Sequence, residues 1–292
     1  MSAVAASAFT SHFFPAQDGL VLHMRNYGAD ASRLVPVVCL SGLARTAADF
    51  DILATHLAAQ GRRVVALDYR GRGLSEWDKD PAHYDVMTEN ADIQAVLAAV
   101  GIENAIFVGT SRGGIHTMVL SATRPRLIRA AVLNDIGPVI ESRGLARIKG
   151  YVGKLPPPGS WADAIDLIKR LASAQFTGLT EAEWEAFARL TFIEKDGRLI
   201  ARYDPALAKN LAAIDLAAKI PDLWPQFEGL AHVPLLVIRG ANSDLLSAGT
   251  VAEMVRRHPR CESFIVPGQG HAPLLLDAPS IERIAAFVAA QD

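Results

Sequence analysis

Ser111 is the first candidate for chemistry, because it stands between two glycines in Gly109-Thr110-Ser111-Arg112-Gly113. An apolar, β-branched run, Ala105–Val108, precedes this pentapeptide, and a helical pattern from Gly114 follows it. A serine on a tight strand-to-helix turn stands clear of the backbone, and glycine on both sides removes the side chains that would clash there. Such a hydroxyl can attack a carbonyl carbon. The N–H of the next residue, Arg112, then points from a helix N-terminus at the oxyanion that forms. The pentapeptide alone is a weak signal; its place between a strand and a helix makes it a strong one.

Serine needs a base to act as a nucleophile at neutral pH. His271 supplies the best candidate among eight histidines, in Pro267-Gly268-Gln269-Gly270-His271-Ala272-Pro273. Its loop follows the final strand-like run, and the glycines let it swing back over the sheet. His116, inside the helix after Ser111, reads better as a packing residue. The base in turn needs a carboxylate at a strand end to orient it. Asp244, in Arg239-Gly240-Ala241-Asn242-Ser243-Asp244, is the preferred partner, because the order Ser…acid…His leaves room for a helix and a strand before His271. Asp135 also follows a strand-like run, Ala130–Leu133, and is the alternative acid.

A second oxyanion donor is expected from Ser41-Gly42-Leu43-Ala44-Arg45, with the Leu43 N–H as the donor and Gly42 permitting close approach. The segment Asp68–Ser75 is rich in glycine and arginine, but its spacing fits no phosphate-binding fingerprint. It reads as a structural loop beside the site.

The elements that must position these residues follow a regular alternation. Strands are expected at Leu20–Met24, Pro36–Leu40, Arg63–Leu67, Ala105–Val108, Ala130–Leu133, Pro234–Ile238 and Ser263–Val266. Helical patterns lie at Asp49–Ala59, Glu89–Val100, Gly114–Thr123, Ala248–Arg257 and Ser280–Ala290. Strand and helix in turn imply a mostly parallel sheet with helices on both faces. Asp18-Gly19 marks an initial hairpin. The alternation stops after Asn134 and resumes at Pro234. Between them Gly137-Pro138, Pro156-Pro157-Pro158-Gly159, a capping box at Thr180 and Glu183, and Pro221 and Pro225 punctuate short helical patterns. This divides the chain into a core, residues 1–136 and 231–292, and an inserted helical cap, residues 137–230.

Composition narrows the function. Half of the 292 residues are hydrophobic, 21% are charged and the net charge is −2, which gives no electrostatic reason to bind nucleic acid or an anionic membrane. No apolar run is long enough to span a bilayer. Met1–Phe14 lacks the basic residues of an export signal, so a cytoplasmic location is expected. Cys39 and Cys261 read as core thiols, and without clustered Cys and His residues no metal or other cofactor is expected.

Taken together, Ser41-Gly42-Leu43, the Asp68–Ser75 loop, the elbow at Ser111, Arg239–Asp244 and Gly270-His271 resemble the α/β-hydrolase fold superfamily. The closest likeness is to capped bacterial hydrolases that include carboxylesterases, lactonases and carbon–carbon bond hydrolases. Asn134-Asp135-Ile136-Gly137-Pro138 and Ser243–Ser247 are similar to a subgroup of hydrolases or acyltransferases. The resemblance implies an eight-stranded, mostly parallel sheet and a cap. Two features depart from many relatives: Ser41 replaces the usual histidine before Gly42, and Arg112 follows the nucleophile. The Arg112 side chain is expected to pair with an acid on the helix flank. The expected activity is hydrolysis of a carboxylic ester with a small or medium apolar acyl group, through an acyl-enzyme. A lactonase, a carbon–carbon hydrolase or an acyltransferase would use the same residues. A non-catalytic receptor is disfavoured by the complete set, and serine at the elbow disfavours epoxide hydrolase or dehalogenase chemistry. The expected partner is a small-molecule substrate, with the chain a monomer or homodimer.

Overall fold

The computed structural model describes residues 9–218 and 220–292; the first eight residues of the leader reading lie outside them. Eight strands form one sheet: β1 (Phe9–Pro15), β2 (Val21–Tyr27), β3 (Val37–Leu40), β4 (Val64–Asp68), β5 (Ala105–Thr110), β6 (Ile128–Asn134), β9 (Leu235–Gly240) and β10 (Cys261–Val266). Their order is β1-β2-β4-β3-β5-β6-β9-β10. The first two strands pair antiparallel with their neighbours and the others run parallel. The expected seven strands are all present. β1, the first arm of the expected hairpin, has no strand range in the sequence reading; it lies at the sheet edge and four of its seven residues are exposed. The hairpin at Asp18-Gly19 forms, with Gly19 at φ 87°.

Alternate residues of the central strands feed two cores. Val38, Leu40, Phe107, Leu133 and Val237 face one way. They pack there with residues of α2 (Val86–Ala99) and α3 (Arg112–Thr123). Cys39, Ile106, Val108, Val132 and Ile238 face the other way, against α1 (Asp51–Ala59) and α10 (Ala278–Ala289). Burial on both faces explains why these strands are nearly continuous apolar runs. Both cysteines are free, Cys39 deep in this core. α9 (Ala248–Arg257) packs against β9 and β10.

Between β6 and β9 the chain forms α4 (Ser142–Tyr151), α5 (Trp161–Ala172), α6 (Glu181–Thr191), α7 (Leu207–Ala212) and α8 (Trp224–Glu228). It also forms an antiparallel hairpin, β7 (Phe192–Lys195) and β8 (Arg198–Ala201), so the inserted segment is not purely helical. Asp196-Gly197 makes its turn, with both residues at positive φ. The segment has its own apolar centre around Ile168, Phe176, Trp184, Ala188 and Phe192. Trp184 and Phe187 stack with ring centroids 6.2 Å apart.

Candidate active site

β5 ends at Thr110 and α3 begins at Arg112, leaving Ser111 alone on the turn at φ 50° and ψ −110°. A non-glycine residue at positive φ is costly, by about 1–3 kcal/mol, and persists only where its surroundings hold it. They do so here. The Ser111 N–H donates to the Asn134 carbonyl at 3.0 Å, and its own carbonyl accepts from Gly114 at 2.9 Å. The glycines are required by contact as well as by the turn. A Cβ on Gly109 would lie 2.5 Å from the Gly113 carbonyl, and one on Gly113 would lie 2.0 Å from the Leu40 carbonyl.

Ser111 Oγ lies 2.9 Å from His271 Nε2, and His271 Nδ1 lies 2.8 Å from Asp135 Oδ2. A carboxylate only accepts, so Nδ1 carries the imidazole proton and Nε2 is left to accept from the serine. The carboxylate on His271 is therefore Asp135, not Asp244, which corrects the preferred reading of the sequence. Strand order supplies the reason. β6 lies directly beside β5, whereas β9 is one strand further away, and Asp135 immediately follows β6 at the same edge as Ser111. Asp135 is fully buried and its φ is 55°. Its Oδ1 accepts the Gly240 N–H at 2.7 Å, and its Oδ2 also accepts the Ser243 hydroxyl at 2.5 Å. The loop after β9 thus holds the acid rather than furnishing it.

Asp244 turns to the inserted segment instead. Its carboxylate is bidentate with Arg147 of α4, at 2.8 and 2.9 Å. Burial pushes the Asp244 carboxyl up, but hydrogen bonds from Arg147 and Gln175 and the Arg147 charge hold it below the usual value.

The loop bearing His271 is fastened from two sides. Gln175, between α5 and α6, accepts the His271 N–H through its side-chain oxygen at 3.2 Å. Asn134 donates to the Pro273 carbonyl at 2.9 Å. Gln175 gives no signal in the sequence, since its partner is 96 residues away. Asn134 adjoins Asp135 in a motif already noted, although its tie to the histidine loop is visible only in three dimensions.

Gly42 abuts the nucleophile: a Cβ there would lie 3.8 Å from Ser111 Cβ. Leu43 lines the same cavity of about 130 Å³, with Ser111 and His271, and residues of α4, α5 and α6 roof it. Most of its surface is apolar. Arg45 stands in its wall already paired with Asp49 at 2.7 Å, and Arg147 also lines it with Asp244 as its counterion. The Arg112 side chain takes no part in the cavity. It pairs at 2.8 Å with Glu89 of α2, the helix-flank acid anticipated for it. His116 is fully buried, bonded to Glu89 and Asn90. Among the described residues, one group of three has metal-ligand spacing, Asp18, Asp78 and His83. Arg70 bridges its two carboxylates, so the cluster is accounted for by ion pairing. Among those residues no helix is long and apolar enough to cross a membrane.

Comparison with known proteins agrees with this arrangement. Residues 35–278 match the family model described as the alpha/beta hydrolase fold. The chain is similar to a 3-hydroxybutyrate-oligomer hydrolase of Cupriavidus necator, at 35% identity over 84% of this chain and 85% of the relative. It is 26% identical to a 2-(acetamidomethylene)succinate hydrolase of Mesorhizobium japonicum over 92% of each chain. The solved structure of an alpha/beta hydrolase from Novosphingobium aromaticivorans superposes with a TM-score of 0.91 at 39% identity, covering 98% of this chain and 99% of that one. The chain is a hydrolase of the α/β-hydrolase fold family.

Proposed function

We propose that the protein hydrolyses a carboxylic ester through an acyl-enzyme, with Ser111 as nucleophile, His271 as base and Asp135 as the acid that orients it. The observation that carries this reading is the unbroken hydrogen-bonded relay from Ser111 Oγ through His271 to Asp135, opening on a mostly apolar cavity. Ser111 attacks the carbonyl carbon as Nε2 takes its proton. The developing oxyanion is met by the backbone N–H groups of Leu43 and Arg112. His271 returns the proton to the leaving alcohol, the acyl-enzyme forms, and a water activated by the same imidazole releases the acid. The carboxylate of Asp135 stabilises the imidazolium in each half-reaction.

Cavity size narrows the substrate. A cavity of roughly 150 Å³ holds a benzene molecule, so about 130 Å³ suits an acyl group of a few carbons better than a fatty chain. The similarity to the 3-hydroxybutyrate-oligomer hydrolase of Cupriavidus necator supports a short hydroxyacyl ester. A nitrophenyl ester series from acetate to laurate, with 3-hydroxybutyryl esters and simple lactones beside it, tests the reading. Turnover should be greatest for short acyl groups and absent in Ser111→Ala. No ester hydrolysis in the presence of rapid hydrolysis of a non-ester substrate would overturn ester specificity.

A further inference from the structure

The Asp68–Ser75 loop contains two arginines that are almost wholly buried, Arg70 and Arg72. Burying a guanidinium demands compensation. Arg70 has Asp92 of α2, at 2.7 and 2.8 Å. Arg72 is placed differently. Its Nε donates to the Leu43 carbonyl at 2.8 Å, and its Nη1 lies 2.7 Å from Glu89 Oε1. The other oxygen of Glu89 receives Arg112 at 2.8 Å and His116 Nε2 at 3.0 Å. Glu89 and Arg72 are both fully buried.

One carboxylate therefore joins the two segments that flank Ser111. It reaches the loop after β3 through Arg72, whose Nε pins the Leu43 carbonyl, and it grips Arg112 at the start of α3 directly. Tyr69 adds a second tether by donating its hydroxyl to the Ser41 carbonyl at 3.1 Å, and its ring packs against His116 at 4.9 Å. These groups hold the loop after β3 from beneath. The Glu89 carboxyl would rise on burial, but Arg72 and Arg112 hold it below the usual range. Burial keeps His116 on the neutral side of its ordinary titration.

We infer that Glu89 is a positioning residue for oxyanion stabilisation, aligning the Leu43 N–H through Arg72 and the Arg112 N–H through the Arg112 side chain. The inference rests on the serine-hydrolase reading above, with these two N–H groups as donors. Removing a whole oxyanion donor costs about 10²–10³ in kcat. Loosening both donors through Glu89→Gln should cost roughly 10–100-fold. Arg72→Lys keeps a cation for Glu89 but loses the planar donor to Leu43.

The test measures kcat and KM on 4-nitrophenyl butyrate, the inhibition constant of phenylboronic acid as a tetrahedral mimic, and melting temperature. Glu89→Gln and Arg72→Lys should lower kcat with KM within about 3-fold, and weaken boronate binding by a factor parallel to the loss in kcat/KM. Asp92→Asn, which breaks the neighbouring buried pair without touching the Leu43 loop, should lower the melting temperature yet keep kcat and boronate affinity. Should Glu89→Gln fail to fold, Arg72→Lys and the partly exposed Arg112→Gln carry the same expectation. Unchanged kcat and boronate affinity in the folded variants would overturn the inference while an inactive Ser111→Ala left the serine reading standing. Full turnover in Ser111→Ala would remove both.

Discussion

Replacing Asp135 with Asn should stop turnover while leaving the protein folded, and the hydrogen-bond directions around the residue say why. The Gly240 N–H on Oδ1 is fixed in the backbone, whereas the Ser243 hydroxyl on Oδ2 can rotate to accept, so the Asn side-chain oxygen takes the Oδ1 place and its NH₂ faces His271. A donor there can be satisfied only if Nδ1 becomes the acceptor, which moves the imidazole proton to Nε2 and points it at Ser111. The base is then in the wrong tautomer, and the charge that stabilised the imidazolium is gone. For triad acids in this arrangement the loss in kcat is about 10³–10⁴, or roughly 4–5.5 kcal/mol in the barrier. Asp244→Asn breaks a half-buried pair with Arg147 instead. It should cost about 1–2 kcal/mol of stability and change kcat by less than about 5-fold, because no hydrogen bond links Asp244 to the imidazole. Steady-state hydrolysis of 4-nitrophenyl butyrate, with far-UV dichroism to check folding, separates the two. An active, folded Asp135→Asn beside an inactive, folded Asp244→Asn would refute this assignment of the acid.

The other predictions concern the scaffold and its pH response. Gly113→Ala forces a Cβ to 2.0 Å from the Leu40 carbonyl, so stability should fall by about 3 kcal/mol or more with loss of activity; a wild-type melting temperature and rate would contradict the packing argument. Gln175→Ala removes the acceptor for the His271 N–H and should lower kcat by roughly 3–10-fold, since one lost hydrogen bond is worth about 0.5–1.5 kcal/mol; an unchanged kcat would show that the histidine loop holds without it. Burial pushes the His258 imidazole below its ordinary value against the opposing contact with the Leu230 carbonyl. The unfolded chain then binds the extra proton first as pH drops through about 6.5. The stability this site contributes is complete above that pH and is lost as pH falls toward the depressed folded value. Melting temperature should therefore decline between pH 7.5 and 5 with a shallower slope in His258→Gln, and equal slopes would exclude a contribution from this residue.

The parts of the site that were legible in the sequence are those encoded over a few neighbouring residues. Ser111 was readable because a strand, a glycine-flanked turn and a helix occur in immediate succession. His271 was readable because a glycine-rich loop follows the last strand. The choice between Asp135 and Asp244 was not readable, since both follow strands and the lateral order of β5, β6 and β9 is a property of the sheet, absent from linear spacing. Asp68–Ser75 reads as a structural loop beside the site, but the burial of its Arg70 and Arg72 is recognisable only once Asp92 and Glu89 of α2 stand beside them. The β7–β8 hairpin was not legible, because four-residue strands carry too little alternation to stand out from the helical pattern around them.

Catalysis as proposed requires Ser111 to be the nucleophile that His271 activates. Incubation with a fluorophosphonate followed by peptide mass spectrometry tests that, with wild type and Ser111→Ala compared and kcat measured on the same samples. Labelling should fall on Ser111 alone and vanish in Ser111→Ala, with kcat lowered by roughly 10³ or more. Undiminished turnover by a folded Ser111→Ala protein, or a label carried on another residue while Ser111 stays unmodified, would contradict it.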